Sequence, residues 1–279
     1  MKHTDLNIST PETDPTDANE PRALQEGSEE ADASDGQPDW EGVGAEEWIP
    51  APPTAFQRGM ESSYREFSHL FAAIERRATP TNPDADIINT RYGHILGITS
   101  ALVGEGKTTV ALNLAMSTAR STNSKVCLID LGFSGDSILK RLGTVAEGAG
   151  IIHVLEGVNQ TYPMLKLRGF EELTIIPAGK IPSHPARIAR SHRMEEVFAS
   201  ARLMFDLILV DMPAISTHNA RPLAAHMDGL VMIARAGVTP QDVIKNAMEH
   251  IGREKVLGVV LNRVQYSGPR WLQERLIQR

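Results

Sequence analysis

The chain has 279 residues, with 35 acidic and 28 basic side chains, a net charge of −7 at pH 7, and one cysteine. A single cysteine excludes an intrachain disulfide and a cysteine-based metal cluster, and its place in the apolar run Val126–Ile129 favours a buried structural thiol. No apolar run is long enough to span a bilayer and no hydrophobic signal region is visible, so we expect a cytoplasmic protein.

The acidity is concentrated at one end of the chain. Residues 1–50 carry 14 acidic side chains against Lys2 and Arg22, a net charge of −12 that leaves about +5 for the remainder. This stretch is rich in Pro, Asp, Glu, Ser and Gly, so it cannot bury enough apolar surface to offset its ordering entropy. We predict a disordered acidic tail over residues 1–53 and one domain over 54–279. The tail is interpreted as a solubilising linker, with an electrostatic lid or a partner-docking segment as alternatives.

A glycine-rich motif follows a short β-prone run that begins at His94. Residues 98–109 read Ile-Thr-Ser-Ala-Leu-Val-Gly-Glu-Gly-Lys-Thr-Thr, and the apolar spacing that follows predicts a helix over Thr108–Arg120. Glycines between a strand and a helix let backbone N–H groups converge on a polyphosphate. The sequence therefore predicts a phosphate-binding loop, although Ala101 stands where the common pattern has glycine.

The loop predicts the residues that bind a nucleotide. We expect Lys107 to reach the β- and γ-phosphates and the Thr108 hydroxyl to ligate Mg²⁺. The full predicted set in the loop is Gly104, Glu105, Gly106, Lys107, Thr108 and Thr109.

The rest of the chain alternates between apolar runs and helical patterns. The runs predict six strands, near His94–Ile98, Val126–Ile129, Leu173–Ile176, Phe205–Val210, Leu230–Ala234 and Val256–Leu261. Helices are predicted near Thr108–Arg120, Ser134–Leu142, Ile151–Glu156, Ala186–Arg202, Arg221–His226 and Pro240–Arg253. Strands of continuous Val, Ile and Leu are typical of sheets covered on both faces. The pattern predicts an α/β fold with a doubly wound, mostly parallel sheet.

Two aspartates close predicted strands. Asp130 ends the run that begins at Val126, and Asp211 ends the run that begins at Phe205. Ligands of such sheets bind beyond the carboxyl ends of the strands, so both carboxylates are expected to face the loop and to hold Mg²⁺ or its water shell. The alternative is that each aspartate caps a helix or stabilises a turn.

These motifs together resemble a known family. The chain is similar to the cytoplasmic domain of bacterial P-loop tyrosine kinases, which are related to the septum-site and partition ATPases and work in capsule and exopolysaccharide synthesis. The resemblance rests on Ile98–Thr109, Cys127–Asp130, Ile175–Gly179, Leu209–Pro213, Asp228–Val231 and Leu257–Arg263.

The resemblance implies ATP and Mg²⁺ as cofactors and transfer of the γ-phosphoryl group to protein tyrosine. It implies catalytic roles for Lys107, Asp130 and Asp211, with Thr108 and the two aspartates as metal ligands. Asn262 and Arg263 would contact the adenine, although Asn262 could instead be a strand-ending turn residue. A membrane polysaccharide co-polymerase, a chain-length regulator, would be the activating partner and would bring the chain to the inner face of the membrane.

The chain also departs from that family. The family motif Asp-x-Asp-x-Arg reads Asp130-Leu-Gly-Phe-Ser134 here, so Gly132 replaces the second carboxylate, and Asp136 is the next acid in the sequence. The helix that joins subunits into rings keeps only Arg65 of its two arginines, and the tyrosine-rich C-terminus is reduced to Tyr266. A homo-oligomer and autophosphorylation are therefore open. The alternatives are a catalytically weak pseudokinase and a partition-type positioning ATPase, whose signature lysine corresponds to Leu102.

Two basic stretches lie outside these motifs. They cover Arg187–Arg193 and Arg270–Arg279, and either could approach an anionic membrane or an acidic partner, or form a solvated helix face or docked terminal helix. The charge excess of the domain is small and Trp271 is the single aromatic residue among these arginines, so we expect no nucleic-acid partner.

Overall fold

The computed structural model describes residues 47–78, 93–133, 138–144, 150–159, 161 and 164–264. The strands are β1 (Glu47–Ile49), β2 (His94–Ser100), β3 (Val126–Asp130), β4 (Leu165–Leu167), β5 (Phe170–Ile176), β6 (Leu207–Asp211), β7 (Gly229–Arg235) and β8 (Val256–Asn262). The helices are α1 (Thr54–Ala78), α2 (Lys107–Ser121), α3 (Ile138–Arg141), α4 (Ile151–Leu155), α5 (Pro185–Ile188), α6 (His192–Met204), α7 (Ala220–Ala224) and α8 (Gln241–Ile251). Short 3₁₀ turns cover Ile215–Thr217 and Arg253–Lys255.

The strands form one sheet in the order β1-β4-β5-β3-β6-β2-β7-β8. Neighbouring strands are parallel except for the antiparallel pair β4 and β5. The predicted α/β class with a mostly parallel sheet is confirmed, and the six predicted strands are β2, β3, β5, β6, β7 and β8. Because β2 lies between β6 and β7, the loop that follows it emerges at the centre of the carboxyl edge of the sheet.

Apolar side chains from alternating strand positions fill two layers, one on each face of the sheet. On one face, Ile98 of β2 packs with α1, α2 and α3 through residues such as Leu112. On the other face, Ile95 packs with α4 to α8 through residues such as Phe198. Both strand residues are fully buried, as the continuous apolar runs predict.

The structure corrects the predicted helices in two places. The helix predicted over Ala186–Arg202 is two helices, α5 and α6, because Ser191 takes an extended backbone conformation and its hydroxyl bonds the carbonyl of Ile188. The 25-residue helix α1 was not predicted as an element, although Phe67, Leu70 and Phe71 have helical spacing and pack on the core.

The ends of the sheet also differ from the expectation. Strand β1 lies within the segment predicted as tail, because Ile49 is buried and the strand pairs with β4. The domain boundary at residue 54 stays a prediction, and the tail before Glu47 lies outside the described residues. At the other edge, β8 pairs with β7 on one side, and Leu261 is 58% exposed, so this strand is not covered on both faces. In the part of the chain that the structure describes, no helix is long and apolar enough to cross a membrane.

Candidate nucleotide-binding site

The loop between β2 and α2 bends at two glycines in the left-handed region. Gly104 has φ 87° and Gly106 has φ 98°, and Gly106 is the residue that precedes the first turn of α2. Residues other than glycine are strained at such backbone angles. The first turn of α2 carries no acidic residue, so its unpaired N–H groups and positive dipole end are not neutralised by a carboxylate of that turn. This is the geometry that binds phosphate groups.

The Glu105 carboxylate lies inside the fold and braces the loop. The side chain is 3% exposed. Its Oε2 accepts a hydrogen bond from the backbone N of Leu102 at 2.8 Å. Its Oε1 accepts bonds from the Thr239 hydroxyl and, at 3.3 Å, from the backbone N of Arg235. The carboxylate therefore ties the phosphate-binding loop to the connection between β7 and α8.

Asn262 supports the same loop from the end of β8. Its side-chain Nδ2 donates to the carbonyl of Glu105 at 2.8 Å, and its Oδ1 accepts from the backbone N of Arg263 at 2.9 Å. Arg263 itself has φ 57°, so the chain turns sharply here. Asn262 thus holds the loop and the strand-ending turn together, and its contact with an adenine ring stays a prediction.

The segment after β6 is bonded to the strand that leads into the loop. The backbone N of Met212 donates to the carbonyl of Ile98 at 3.0 Å. The Thr99 hydroxyl donates to the carbonyl of Pro213 at 2.9 Å. These bonds hold the residues that follow Asp211 beside the loop.

Asp130 and Asp211 end neighbouring strands and lie opposite each other in the β3–β6 register. Both are almost fully buried, at 2% and 1% exposure. Two carboxylates at adjacent strand ends repel each other unless a cation or a proton compensates their charge.

The two carboxylates have different partners. Asp130 accepts hydrogen bonds from the backbone N atoms of Gly132 at 3.2 Å and of Ile138 at 2.9 Å, so it has the helix-capping and turn role typical of a strand-terminal aspartate. In contrast, neither carboxylate oxygen of Asp211 has a hydrogen-bond partner. A buried carboxylate without partners is costly, and such groups in native structures call for an explanation.

The pKa of Asp211 is consistent with its lack of hydrogen-bond partners. Burial, and next the charge of Asp130, raise the pKa of Asp211 to about 7. The Thr108 hydroxyl and the cations of Lys107 and Arg141 act in the opposite direction without cancelling that rise. Two of these groups, Lys107 and Thr108, are the residues expected to bind phosphate and metal.

A magnesium ion fits this donor set. Mg²⁺ prefers oxygen ligands and is usually held by one or two carboxylates together with phosphates and water. The unpartnered oxygens of Asp211 supply such a ligand beside the Thr108 hydroxyl, and within the described residues no group of three or more His, Cys, Asp or Glu forms a protein-only metal cage. Bound there, the ion would neutralise charge on a polyphosphate, which is the main requirement of phosphoryl transfer.

The remaining predicted residues are distributed as follows. Lys107, Thr108 and Thr109 form the first turn of α2, and the Thr109 carbonyl accepts a bond from Asn113. Arg65 lies on α1. Asp136, Tyr266 and the basic stretch Arg270–Arg279 lie outside the described residues.

Sequence reasoning missed the partners of Glu105. Arg235 and Thr239 are 130 and 134 residues away in the chain, so no local pattern joins them to the loop. One signal was available for Thr239. It is a polar residue that follows the apolar strand β7, at the carboxyl edge of the sheet where ligands bind.

Comparison with known proteins supports the same fold and a nucleotide-binding domain. A family model described as the CobQ/CobB/MinD/ParA nucleotide binding domain matches residues 96–278. The tyrosine-protein kinase CpsD of Streptococcus agalactiae is 29% identical over 180 residues, which are 62% of this chain and 76% of that protein. The succinoglycan biosynthesis transport protein ExoP of Rhizobium meliloti is 30% identical over 180 residues, 62% of this chain and 22% of that protein.

Solved structures of kinase domains share the architecture. The VpsO kinase domain is 26% identical with a TM-score of 0.58, and the match covers 74% of this chain and 98% of that chain. The expected family is confirmed at this level: relatives are named tyrosine-protein kinases and a structural neighbour is a kinase domain. The chain belongs to the CobQ/CobB/MinD/ParA family of nucleotide-binding domains.

Proposed function

We propose that this chain is an ATP- and Mg²⁺-dependent protein-tyrosine kinase domain that acts in capsule or exopolysaccharide production. The observation that carries the proposal is the buried, unpartnered carboxylate of Asp211 beside Lys107 and Thr108. The names of CpsD, a tyrosine-protein kinase, and ExoP, a succinoglycan biosynthesis transport protein, support the reaction and the pathway.

Each site residue has a role in this proposal. Backbone N–H groups of Gly104 to Thr109 bind the phosphates, and Lys107 neutralises charge at the γ-phosphoryl group. Thr108 and Asp211 ligate Mg²⁺, with Asp130 aligned beside them. Asn262 and Arg263 border the adenine. Since phosphoryl transfer needs positioning and charge stabilisation rather than covalent chemistry by the protein, this set supplies the phosphate and metal contacts of the reaction.

The partner is a membrane polysaccharide co-polymerase that brings the domain to the inner face of the membrane and promotes activity. A homo-oligomer assembled through α1 is the corresponding assembly, with Arg65 as the arginine retained from the family's ring-forming helix.

The test is phosphotyrosine formation by the purified full chain. We expect label from γ-³²P-ATP on tyrosine when Mg²⁺ and the cytoplasmic segment of the co-polymerase are present, and loss of the label in Lys107→Ala. The control Lys245→Ala, on an exposed position of α8, keeps the parent's activity. If the parent labels no more tyrosine than Lys107→Ala does, the kinase proposal is rejected; phosphate release without phosphotyrosine would instead indicate a positioning ATPase.

Gly132 favours a second candidate, a regulatory pseudokinase. Its backbone N bonds Asp130, but it has no side chain to ligate metal or accept the tyrosine proton. Under this alternative the chain binds Mg·ATP and transfers little phosphate. Gly132→Asp would then raise the labelling rate at least tenfold, whereas an unchanged rate would show that this carboxylate is not the missing group.

A further inference from the structure

A second basic site lies outside the nucleotide loop, on the face of the sheet covered by α6, α7 and α8. It is an open cleft of about 480 Å³ lined by Arg190, His218, Arg221, Pro222 and His250. We call these five residues the basic cleft. Arg190 precedes α6, His218 and Arg221 flank the start of α7, and His250 lies in the last turn of α8. Three separate segments thus bring cationic and N–H donor groups to one concavity, and no acidic residue lines it.

Among the described residues, most side-chain N–H groups of the two arginines in the basic cleft donate no hydrogen bond. Among the described residues, the Arg221 side chain has no hydrogen bond or ion pair. Arg190 donates one hydrogen bond, from Nη1 to the carbonyl of Ala186 at 3.3 Å, which leaves its other N–H groups available. Other basic residues of the Arg187–Arg193 stretch have partners elsewhere. Arg193 donates to the carbonyl of Val154, and His192 lies beside the carboxylates of Glu195 and Glu196. Only one arginine of the Arg187–Arg193 stretch therefore contributes to the cleft.

The histidines are held in place by the backbone and by each other. His218 ends the 3₁₀ turn Ile215–Thr217 with φ 61° and ψ −4°, a left-handed conformation that is uncommon for residues other than glycine but is adopted more often by histidine, asparagine and aspartate. Its ring meets the His250 ring edge to face, with centroids 6.4 Å apart. Strained backbone of this kind persists where the surrounding structure fixes a side chain and is concentrated at binding sites.

We propose that the basic cleft binds a phosphate monoester. Guanidinium groups form paired, charge-assisted hydrogen bonds with the oxygens of a tetrahedral dianion, and imidazole N–H groups add further donors. The cleft of about 480 Å³ has room for an organic group beside the phosphate, and the ligand we propose is therefore an ester with an aryl or glycosyl group. The residues that line the cleft do not include residues 101–109, although the backbone N of Ser216, two residues before His218, donates to the carbonyl of Ala101 at 3.2 Å. The inference does not depend on kinase activity.

The experiment is calorimetric titration of the full chain carrying Lys107→Ala, which weakens phosphate binding at the nucleotide loop. The probes are inorganic phosphate, phenyl phosphate and glucose 1-phosphate, which distinguish the free anion from aryl and glycosyl esters. We expect saturable binding of at least one ester, tighter than that of inorganic phosphate. Adding Arg190→Gln and Arg221→Gln should weaken that binding about tenfold or more, while the control Arg187→Gln, an exposed arginine outside the cleft, should leave it unchanged.

Two results would overturn the proposal. One is the absence of saturable binding of all three probes, and the other is equal affinity in the double arginine variant and the parent. Both arginines are exposed, so these variants are expected to fold, and equal melting temperatures would verify it. The nucleotide proposal is tested separately, by titration of Mg·ATP into the chain that keeps Lys107.

Discussion

Asp211 combines a cost in stability with a functional role. Its carboxylate is buried, lacks hydrogen bonds and has a pKa of about 7. Well below pH 4 the carboxyl is protonated in both the folded and the unfolded chain. As the pH rises towards 7, the unfolded chain releases this proton while the folded chain retains it, so the free energy of unfolding falls. Above pH 7 the folded protein holds a buried charge that Lys107 and Arg141 offset only in part, and a bound cation would stabilise it further.

We therefore expect Asp211→Asn to stabilise the nucleotide-free protein at pH 8, by roughly 2 to 4 kcal/mol, with a smaller difference from the parent at pH 5. Denaturant melts at the two pH values measure this. The matched control is Asp206→Asn at the other end of β6, where the carboxylate accepts the backbone N of Lys125 at 2.7 Å. That control should lower stability slightly; an Asp211→Asn variant less stable than the parent at pH 8 would contradict the interpretation.

Glu105 acts on the nucleotide through the backbone that it positions. In Glu105→Gln, one of the backbone N–H groups of Leu102 and Arg235 would face an amide NH₂ in place of an acceptor. We expect Mg·ATP affinity to fall about tenfold, as measured by titration with a fluorescent ATP analogue.

The hydroxyl partner of Glu105 provides the specific control. Thr239→Val removes the donor to the carboxylate and should reproduce part of the loss, whereas Thr239→Ser keeps the hydroxyl and should restore affinity. Equal affinity of the valine and serine variants would argue against the brace.

At the scale of elements, the loop depends on close contact with the end of β8. A Cβ on Gly106 would overlap the Asn262 side-chain amide, whereas a Cβ on Gly104 would meet no atom within 4 Å. Both glycines have positive φ, so alanine is strained by a similar amount at either position, about 1 to 2 kcal/mol.

Comparing Gly104→Ala with Gly106→Ala therefore separates the effect of backbone strain from the effect of the contact with β8. We expect Gly106→Ala to lower the free energy of unfolding by about 1 to 3 kcal/mol more than Gly104→Ala does. Asn262→Gly in the Gly106→Ala background should recover part of that difference. Equal destabilisation by the two alanine variants in urea melts would refute the role of this contact.

For the whole molecule, local sequence patterns predict the parts of the structure that local forces determine. The central strands were found because each is a continuous apolar run buried on both faces, and the loop was found because Gly104 and Gly106 carry a backbone requirement. Strands β1 and β4 have three residues each and become strands only by pairing with each other and with β5. No period is readable over so short a length.

The candidate site divides in the same way. Lys107, Thr108, Asp130 and Asp211 follow from the motif and from the positions of strand ends. The difference between Asp130, which caps Ile138, and Asp211, which has no partner, depends on packing around both residues. The braces at Thr239 and Asn262 join positions more than 130 residues apart, which one sequence cannot reveal.

The central claim is that the loop and Asp211 form one Mg·ATP site. Its most direct measurement is calorimetric titration of ATP into the full chain, with and without Mg²⁺, for the parent, Lys107→Ala, Asp211→Asn and the control Lys245→Ala. The account predicts Mg²⁺-dependent binding by the parent and by Lys245→Ala, loss of binding in Lys107→Ala, and loss of the Mg²⁺ dependence in Asp211→Asn. ATP affinity that is the same in Lys107→Ala as in the parent, or that does not respond to Mg²⁺ in the parent, would contradict it.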